Sequence, residues 1–269
     1  MDVYEELVRL KREGRRCALV TIVGGDVPDE AGKLVVREDG TTFGSLGLAG
    51  VEKEAVARAL AVIASEKAQT ASVTGSVQSG EEESSATVDL FIEPVISSPT
   101  LYLFGAGQTG LETGRVARVA GFEVVVIDFR PELATVARFP DAREIIAEDL
   151  PSAMARIQPA PTSFIFIATP SHVTDTHVLR WALGTRARYI GMIGSRSKIA
   201  GMYQDLKISG VPQEALARVH APVGLDIGAE TPGEIAVAVV AEMIACRRSG
   251  VPAGGPCRQS RHSRDGVAA

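Results

Sequence analysis

The amino-acid sequence predicts an α/β fold in two parts: a small mixed α+β domain over residues 1–94 and a doubly wound parallel sheet over residues 100–248. Three observations predict it. A glycine-rich turn, Gly105-Ala106-Gly107-Gln108-Thr109-Gly110, separates a short apolar run from a helix-forming stretch. Beyond residue 100, apolar runs of strand length alternate with helical patterns, an ordering that calls for a parallel sheet. Between the parts lies Glu93-Pro94-Val95-Ile96-Ser97-Ser98-Pro99, whose prolines and serines read as a linker.

In the first part, residues 2–13 read as a helix with Val3, Leu7, Val8 and Leu10 as its apolar stripe, ended by Gly14. Residues 17–23 read as a buried strand, and residues 24–30 carry strong turn chemistry. Residues 33–37 and 41–46 form a hairpin about Asp39-Gly40, a good tight-turn pair. A helix follows over 51–67, then strands over 71–77 and 87–92, with the Gly-containing acidic stretch 79–85 as their loop.

In the second part, the expected strands are 101–104, 123–127, 144–146, 163–168 and 189–193. The expected helices lie near 111–120, 134–137, 152–156, 174–183, 198–208 and 232–247. The last has Thr231 to cap it, Pro232 at its first position and Glu234 in its first turn. Residues 249–269 are Gly, Pro, Arg and Ser with few apolar anchors and are expected to be a disordered tail.

Composition removes several classes of function. The net charge of −5 and the lack of a long basic stretch argue against nucleic-acid binding. No apolar run reaches the length of a membrane span. The acidic start has no signal-peptide pattern, so a cytoplasmic protein is expected. Cys17, Cys246 and Cys257 are widely separated and show no metal-binding spacing, so no metal site is expected.

The chemistry is expected at the carboxyl ends of the parallel strands. In the glycine turn, Gly105 permits a sharp bend, Gly107 lets backbone N–H groups approach a ligand, and Gly110 lets helix and strand pack closely. Gln108 and Thr109 open a helix whose N-terminus favours a phosphate. The next strand ends in Asp128, about 20 residues on, where an acid meets a ribose hydroxyl in dinucleotide-binding sheets. Arg130 is placed to meet a 2′-phosphate instead. The turn Gly194-Ser195-Arg196-Ser197-Lys198 offers a hydroxyl and two cations at a helix start, a set suited to an oxyanion. His172 follows a strand end, and Asp175 either holds its imidazole or caps the next helix; the two are the candidate catalytic residues. His220 sits beside Ala-Pro in a small, apolar loop that packs tightly against a ligand or the other domain.

These residues resemble the xanthine dehydrogenase accessory family of the XdhC/CoxI type. The resemblance rests on residues 105–110, on Val126-Ile127-Asp128-Phe129-Arg130-Pro131-Glu132 and Arg138-Phe139-Pro140, and on His172-Val173-Thr174-Asp175. Its most specific parts are Ile193-Gly194-Ser195-Arg196-Ser197-Lys198 and His220-Ala221-Pro222-Val223-Gly224-Leu225-Asp226-Ile227-Gly228. It implies a Rossmann-like domain and an accessory protein of molybdenum hydroxylases. Such a protein transiently binds molybdenum cofactor, protects it while its sulfur ligand is installed, and assists its insertion into the apo-enzyme. The resemblance also implies a homodimer and a cysteine desulfurase as a further partner. It puts the cofactor phosphate at residues 105–110, with Arg196 and Lys198 nearby.

The first part departs from the family pattern. Relatives carry a Gly-Ser-x-Pro-Arg loop where this chain has Gly25-Asp26-Val27-Pro28-Asp29, so the arginine position holds Asp29. Their later cysteine position holds Gly50. The histidine common in their glycine motif is Gln108 here. Two other readings therefore stand beside the accessory role. One is an NAD(P)-dependent oxidoreductase using Asp128 or Arg130 for the ribose and His172 as acid or base. The other is a nucleotide-sensing module without turnover.

Overall fold

The computed structural model describes residues 2–26, 32–79, 82–95 and 98–248. Asp29, the centre of the linker at 96–97 and the tail at 249–269 lie outside the described residues. The chain divides into two compact units, Met1–Ser98 and Pro99–Ala269.

The first unit is built from α1 (Val3–Arg12), β1 (Cys17–Gly25), β2 (Lys33–Arg37), β3 (Thr42–Gly44), α2 (Ala49–Ser65), β4 (Gln69–Ser79) and β5 (Glu82–Val95). Its strands form one antiparallel sheet in the order β3-β2-β1-β5-β4. The β2–β3 hairpin turns at Asp39-Gly40, as the sequence predicts. One sheet face packs Val20, Val36, Leu90 and Ile92 against Val51, Ala55, Ala59 and Val62 of α2. The other packs Cys17, Leu19 and Val35 against Leu10 of α1.

Three expectations are corrected in this unit. The strands β4 and β5 run to Ser79 and from Glu82, through most of the expected 79–85 loop. Polar cross-strand pairs such as Thr74 with Thr87, whose hydroxyls lie 2.9 Å apart, suit this long ribbon. Second, residues 93–95 belong to β5 and pair with β1, so they are strand and not linker. Third, the α1 stripe loses one member: Val3, Leu7 and Leu10 pack on the sheet as expected, but Val8 is 49% exposed and Glu6 is buried instead.

Glu6 takes that place because two arginines neutralise it. Arg9 donates from Nε and Nη2 at 2.8 and 2.7 Å, and Arg37 donates from Nε and Nη2 at 3.0 and 2.7 Å. The bonds from Arg9, opposed by burial and helped by Arg37, bring its carboxyl down from 4.5 to about 2. A depressed carboxylate contributes stability that is complete above its unfolded value and is lost as pH falls through its folded value. The first unit should therefore lose stability between about pH 4.5 and 2 through this group. Glu6→Gln should lower its stability at neutral pH and flatten the acid limb of its denaturation curve in that window, measured by urea titrations across pH.

The second unit is built from β6 (Thr100–Phe104), α3 (Gln108–Val119), β7 (Glu123–Ile127), β8 (Glu144–Ile146), α4 (Leu150–Arg156) and β9 (Phe164–Ile167). It continues with α5 (His172–Leu183), β10 (Tyr189–Met192), α6 (Arg196–Ile208), α7 (Gln213–Leu216), β11 (Val219–His220) and α8 (Pro232–Arg248). All its strand pairs are parallel, in the order β11-β10-β9-β6-β7-β8. Numbered within this unit the order is 6-5-4-1-2-3, that of the open dinucleotide-binding sheet, reversing direction between β6 and β9.

Alternate residues of each strand bury opposite faces. Leu101, Leu103, Val124, Val126, Phe164 and Phe166 meet α3 and α8. Phe104, Val125, Ile127, Ile165, Ile167 and Ile190 meet α4, α5 and α6. The helix starts are capped as their sequences dictate. Asp149 accepts from Ser152 N at 3.0 Å before α4, and Ser171 caps α5. Thr231 Oγ1 accepts from Glu234 N at 3.3 Å, while Glu234 Oε2 accepts from Thr231 N at 2.9 Å.

Two expectations change here. Residues 134–137 form turns rather than a helix, since the eight residues between Pro131 and Pro140 leave little room to nucleate one. His220, expected in a loop, closes β11, and α7 lies before it without a counterpart among the expected elements; both are too short to show a period. Among the described residues, no helix is long and apolar enough to cross a membrane.

Candidate functional site

Because the strands are parallel, the stretches that follow β6, β7, β9, β10 and β11 all gather at one edge of the sheet. The turn after β6 is its centre. Gly105 has φ +110, and a Cβ there would lie 2.1 Å from the carbonyl oxygen of Ala168, at the end of β9. A Cβ on Gly110 would lie 1.9 Å from the carbonyl oxygen of Gly105. A Cβ on Gly107 would meet nothing within 4 Å. Two glycines thus close the turn onto the sheet, and the third leaves open space in front of the backbone.

Gly107 is the N-cap of α3, and its first intrahelical bond runs from Leu111 N to Gly107 O at 2.9 Å. The N–H groups of Gly107, Gln108, Thr109 and Gly110 have no partner among the described residues. They are the four orphan donors of a helix start, and they carry its partial positive charge. The Gln108 side chain is turned away to Glu112, at 3.0 Å.

Asp128 fixes the turn from the side. Its carboxylate is 2% exposed and accepts four hydrogen bonds. Ala106 N and Arg130 Nη2 donate to Oδ2 at 2.6 and 2.7 Å, while Arg130 N and Nε donate to Oδ1, both at 2.9 Å. Burial pushes its pKa up, and the bonds from Arg130 and Ala106 outweigh this, leaving it below the usual carboxylate value. A carboxylate has about four lone-pair sites, so a ribose hydroxyl reaches Asp128 only by displacing one of these donors. Arg138 Nη2 braces the same turn at Ala106 O, 3.0 Å away.

At the end of β9, Asp175 neither caps α5 nor holds His172. Its Oδ1 accepts from Thr169 N and Thr169 Oγ1 at 3.0 and 2.6 Å. Burial raises its pKa, against those bonds and the charges of His172 and Lys198, which brings these two residues into its surroundings. His172 is exposed at the first position of α5 and makes no side-chain hydrogen bond among the described residues.

At the end of β10, Gly194 leads into Ser195, whose Oγ caps α6 by accepting from Lys198 N at 3.3 Å. The side chains of Arg196 and Lys198 are exposed and make no hydrogen bond or ion pair among the described residues. His220 closes β11 and is 6% exposed. Its Nδ1 lies 3.2 Å from Oε1 of Glu242, which α8 buries to 3% exposure.

Glu242 and its neighbour Tyr189 are absent from the residues that the sequence singles out. A signal existed: Ile235, Val239, Glu242 and Cys246 share one side of α8 at helical spacing, which puts an acid on an apolar stripe. The cavity of about 140 Å³ beside α3, lined by Arg115, Arg118, Arg138 and Phe139, is smaller than the pockets that enclose a nucleotide. Cys17 is buried, and burial pushes its thiol up to about 11, so it stays protonated. Among the described residues, no cluster of His, Cys, Asp and Glu is arranged to hold a metal ion.

The chain is similar to known proteins. The family described as "XdhC Rossmann domain" matches residues 101–243, and the one described as "XdhC and CoxI family" matches residues 10–84. An uncharacterized protein of Escherichia coli, YqeB, is 28% identical over 250 residues, 91% of this chain and 46% of its own length. A Bacillus subtilis protein named as a probable xanthine dehydrogenase component is 33% identical over 162 residues, 60% of this chain and 47% of its own. The chain therefore spans about half the length of these two relatives. A crystal structure of a xanthine dehydrogenase from Bacillus halodurans shares the fold, with a TM-score of 0.54 and 22% identity over 95% of this chain and 98% of that one.

Proposed function

The chain belongs to the XdhC and CoxI family, and on that premise we propose that it is an accessory protein of a molybdenum hydroxylase of the xanthine dehydrogenase type, binding the hydroxylase's molybdenum cofactor as cargo. The observation that carries the proposal is the open backbone in front of Gly107, where four unpartnered N–H groups converge at a helix start. That donor set suits the phosphate of the cargo: it offers directed hydrogen bonds and partial positive charge with no competing side chain. The free side chains of Arg196 and Lys198 add cations at the same edge of the sheet. The name of the Bacillus subtilis relative supports a hydroxylase of this type as the partner.

The molybdenum end is a different matter. Where relatives carry a cysteine, this chain packs Gly50 against β4: a Cβ there would lie 2.3 Å from the carbonyl oxygen of Ser76. The described residues thus fit the phosphate and not a thiol grip on the metal. In this reading the sulfur comes from a cysteine desulfurase, and a homodimer delivers the loaded cofactor. Gly50→Cys should not restore a thiol grip. It should instead destabilise the first unit by about 1–3 kcal/mol through overpacking, measured by urea denaturation.

The test is molybdenum retained per chain after anaerobic loading with the cofactor and desalting. Wild type should retain it near stoichiometrically. Gly107→Val places a side chain in the open space and should weaken binding about tenfold or more, the equivalent of one lost charge-assisted hydrogen bond. Its melting temperature should stay with wild type, because a Cβ at this position meets nothing within 4 Å. No retention by wild type, or equal retention by Gly107→Val, overturns the proposal.

The strand order also suits an NAD(P)-dependent oxidoreductase. Against that reading stands Asp128, whose acceptor sites are already filled by Arg130 and Ala106.

A further inference from the structure

The flank of α3 borders a cavity that the phosphate reading of the glycine turn does not use. Arg118 follows Gly114 by four residues and Arg115 by three, so it neighbours both on one side of the helix. Against that side packs the segment after β7. Its Phe139 is 5% exposed and comes close to α3 where Gly114 has no side chain: a Cβ there would lie 3.4 Å from Phe139 Cε1. The space left between the two elements is about 140 Å³. Its apolar lining includes Val124 and Phe139, and its charged lining is Arg115, Arg118, Arg138 and Asp141. An apolar cavity of about 150 Å³ takes up one benzene ring, so a single ring fits here.

The lining holds three cations against one carboxylate. Each guanidinium makes one side-chain hydrogen bond. Arg115 Nη1 donates to Glu112 Oε1 at 3.1 Å, Arg118 Nη1 to Phe122 O at 3.0 Å and Arg138 Nη2 to Ala106 O at 3.0 Å. Their other side-chain nitrogens have no partner among the described residues. Arg138 Nε is sealed from solvent, and Arg138 Nη1 is not. The planar fork of a guanidinium matches a carboxylate. The apolar walls disfavour a small, strongly hydrated ion that fills the space alone.

We propose that this cavity binds a small carboxylate with a single-ring apolar body, the ring against Val124 and Phe139 and the carboxylate held by Arg115, Arg118 and Arg138, and that Arg138 links its occupancy to the glycine turn. The site is distinct from that turn, since Gly114 follows Gly107 by seven residues along α3, a rise of about 10 Å. The link is covalent in part. The carbonyl of Ala106 and the N–H of Gly107 belong to one peptide group, and a hydrogen bond to the carbonyl polarises the N–H. A ligand that engages Arg138 therefore reaches the first open donor of the turn. The inference goes beyond the cofactor-binding reading and does not depend on it.

The test is an NMR titration of the full chain, labelled with nitrogen-15, with benzoate as the probe. The amides of Gly114 and Phe139 should shift and saturate, and the Gly107 amide should follow with the same midpoint. Benzyl alcohol keeps the ring without the charge, and acetate keeps the charge without the ring. Each should bind about tenfold more weakly than benzoate, or worse. Arg115→Gln and Arg118→Gln replace exposed side chains and together should weaken benzoate about tenfold. Arg138→Gln should weaken it as well and silence the Gly107 response. Gly107→Val should leave the Gly114 and Phe139 responses unchanged.

Benzoate that moves neither Gly114 nor Phe139 overturns the site. So does benzyl alcohol or acetate binding as tightly as benzoate, or a benzoate response that the paired arginine replacements leave intact. Saturation at Gly114 and Phe139 with a still Gly107 amide overturns the link to the turn and leaves the site standing. Molybdenum retention tests the turn separately, so the two readings fail independently.

Discussion

Alanine at Gly105 or at Gly110 is expected to destabilise the second unit severely, whereas alanine at Gly107, between them, should leave its stability within about 0.5 kcal/mol of wild type. At Gly110 the new methyl would sit 1.9 Å from the carbonyl oxygen of Gly105, a backbone atom that cannot swing aside. At Gly105 it would sit 2.1 Å from Ala168 O and 2.6 Å from Ala168 C, on a residue with φ +110. Overpacking costs about 1–3 kcal/mol, and a side chain in that region of φ adds about 1–3 kcal/mol. Gly105→Ala thus carries two penalties, on the order of 4 kcal/mol together, against a total stability of about 5–15 kcal/mol.

The two losses have different signatures. Gly105→Ala should separate the ends of β6 and β9 and should shift the unfolding midpoint in urea furthest. Gly110→Ala should lift the start of α3 from the turn and expose the Leu103 side chain beneath it, which lies 3.2 Å from where the new methyl would sit. Equal midpoints for Gly105→Ala and Gly107→Ala would show that the turn is not closed on β9 as described.

The same turn shows how far the sequence can be read. Strand, glycines, helix and acid follow one another within about 25 residues, and local sequence dictates each of them. The division of labour among the three glycines is legible too, because it follows from where a helix must start. What Asp128 does is not legible. Its place at the end of β7 suits a ribose, yet its carboxylate is filled by the amide of Ala106 and by Arg130, only two residues away. Whether a short-range arginine folds back or reaches out is not set by local pattern; here Arg130 folds back onto Asp128 and lies over the Phe129 ring at 5.5 Å.

Longer-range partners are harder still. His220 is singled out by its small, apolar surroundings, but Glu242 lies a whole helix away in sequence. The sequence puts a histidine and an aspartate side by side at His172 and Asp175, and the structure gives that aspartate to Thr169 instead. In the first unit Glu6 displaces Val8 from the buried side of α1 because Arg37, on another strand, supplies the charge that a helical pattern cannot reveal. Local periodicity therefore finds the elements, while buried charges are placed by partners distant in sequence.

Replacing Asp128 should have the second large effect, and its neighbour can separate the two readings of the site. Asp128→Ala removes the acceptor of four hydrogen bonds, leaving Ala106 N–H and the Arg130 guanidinium without their partner. Breaking a buried charge pair costs about 3–5 kcal/mol, and the lower end applies because the Arg130 side chain is 27% exposed and water replaces part of the loss. Amide exchange at Ala106 should accelerate, and the urea midpoint should fall. The pH dependence has a definite sign. The Asp128 pKa lies below its ordinary 3.8 in the folded protein, so its contribution is complete above that value and is lost as pH falls through the folded one. Asp128→Asn should lack that acid-side loss. Arg130→Ala keeps the carboxylate and releases its acceptor sites. If the site serves a dinucleotide ribose, the released Asp128 should bind NAD(H) about tenfold more tightly than wild type, the equivalent of one hydrogen bond to a charged group. If it serves the phosphate of a cargo cofactor through the amides of residues 107–110, Arg130→Ala should leave NAD(H) binding unchanged and molybdenum retention intact, because none of those donors depends on Arg130.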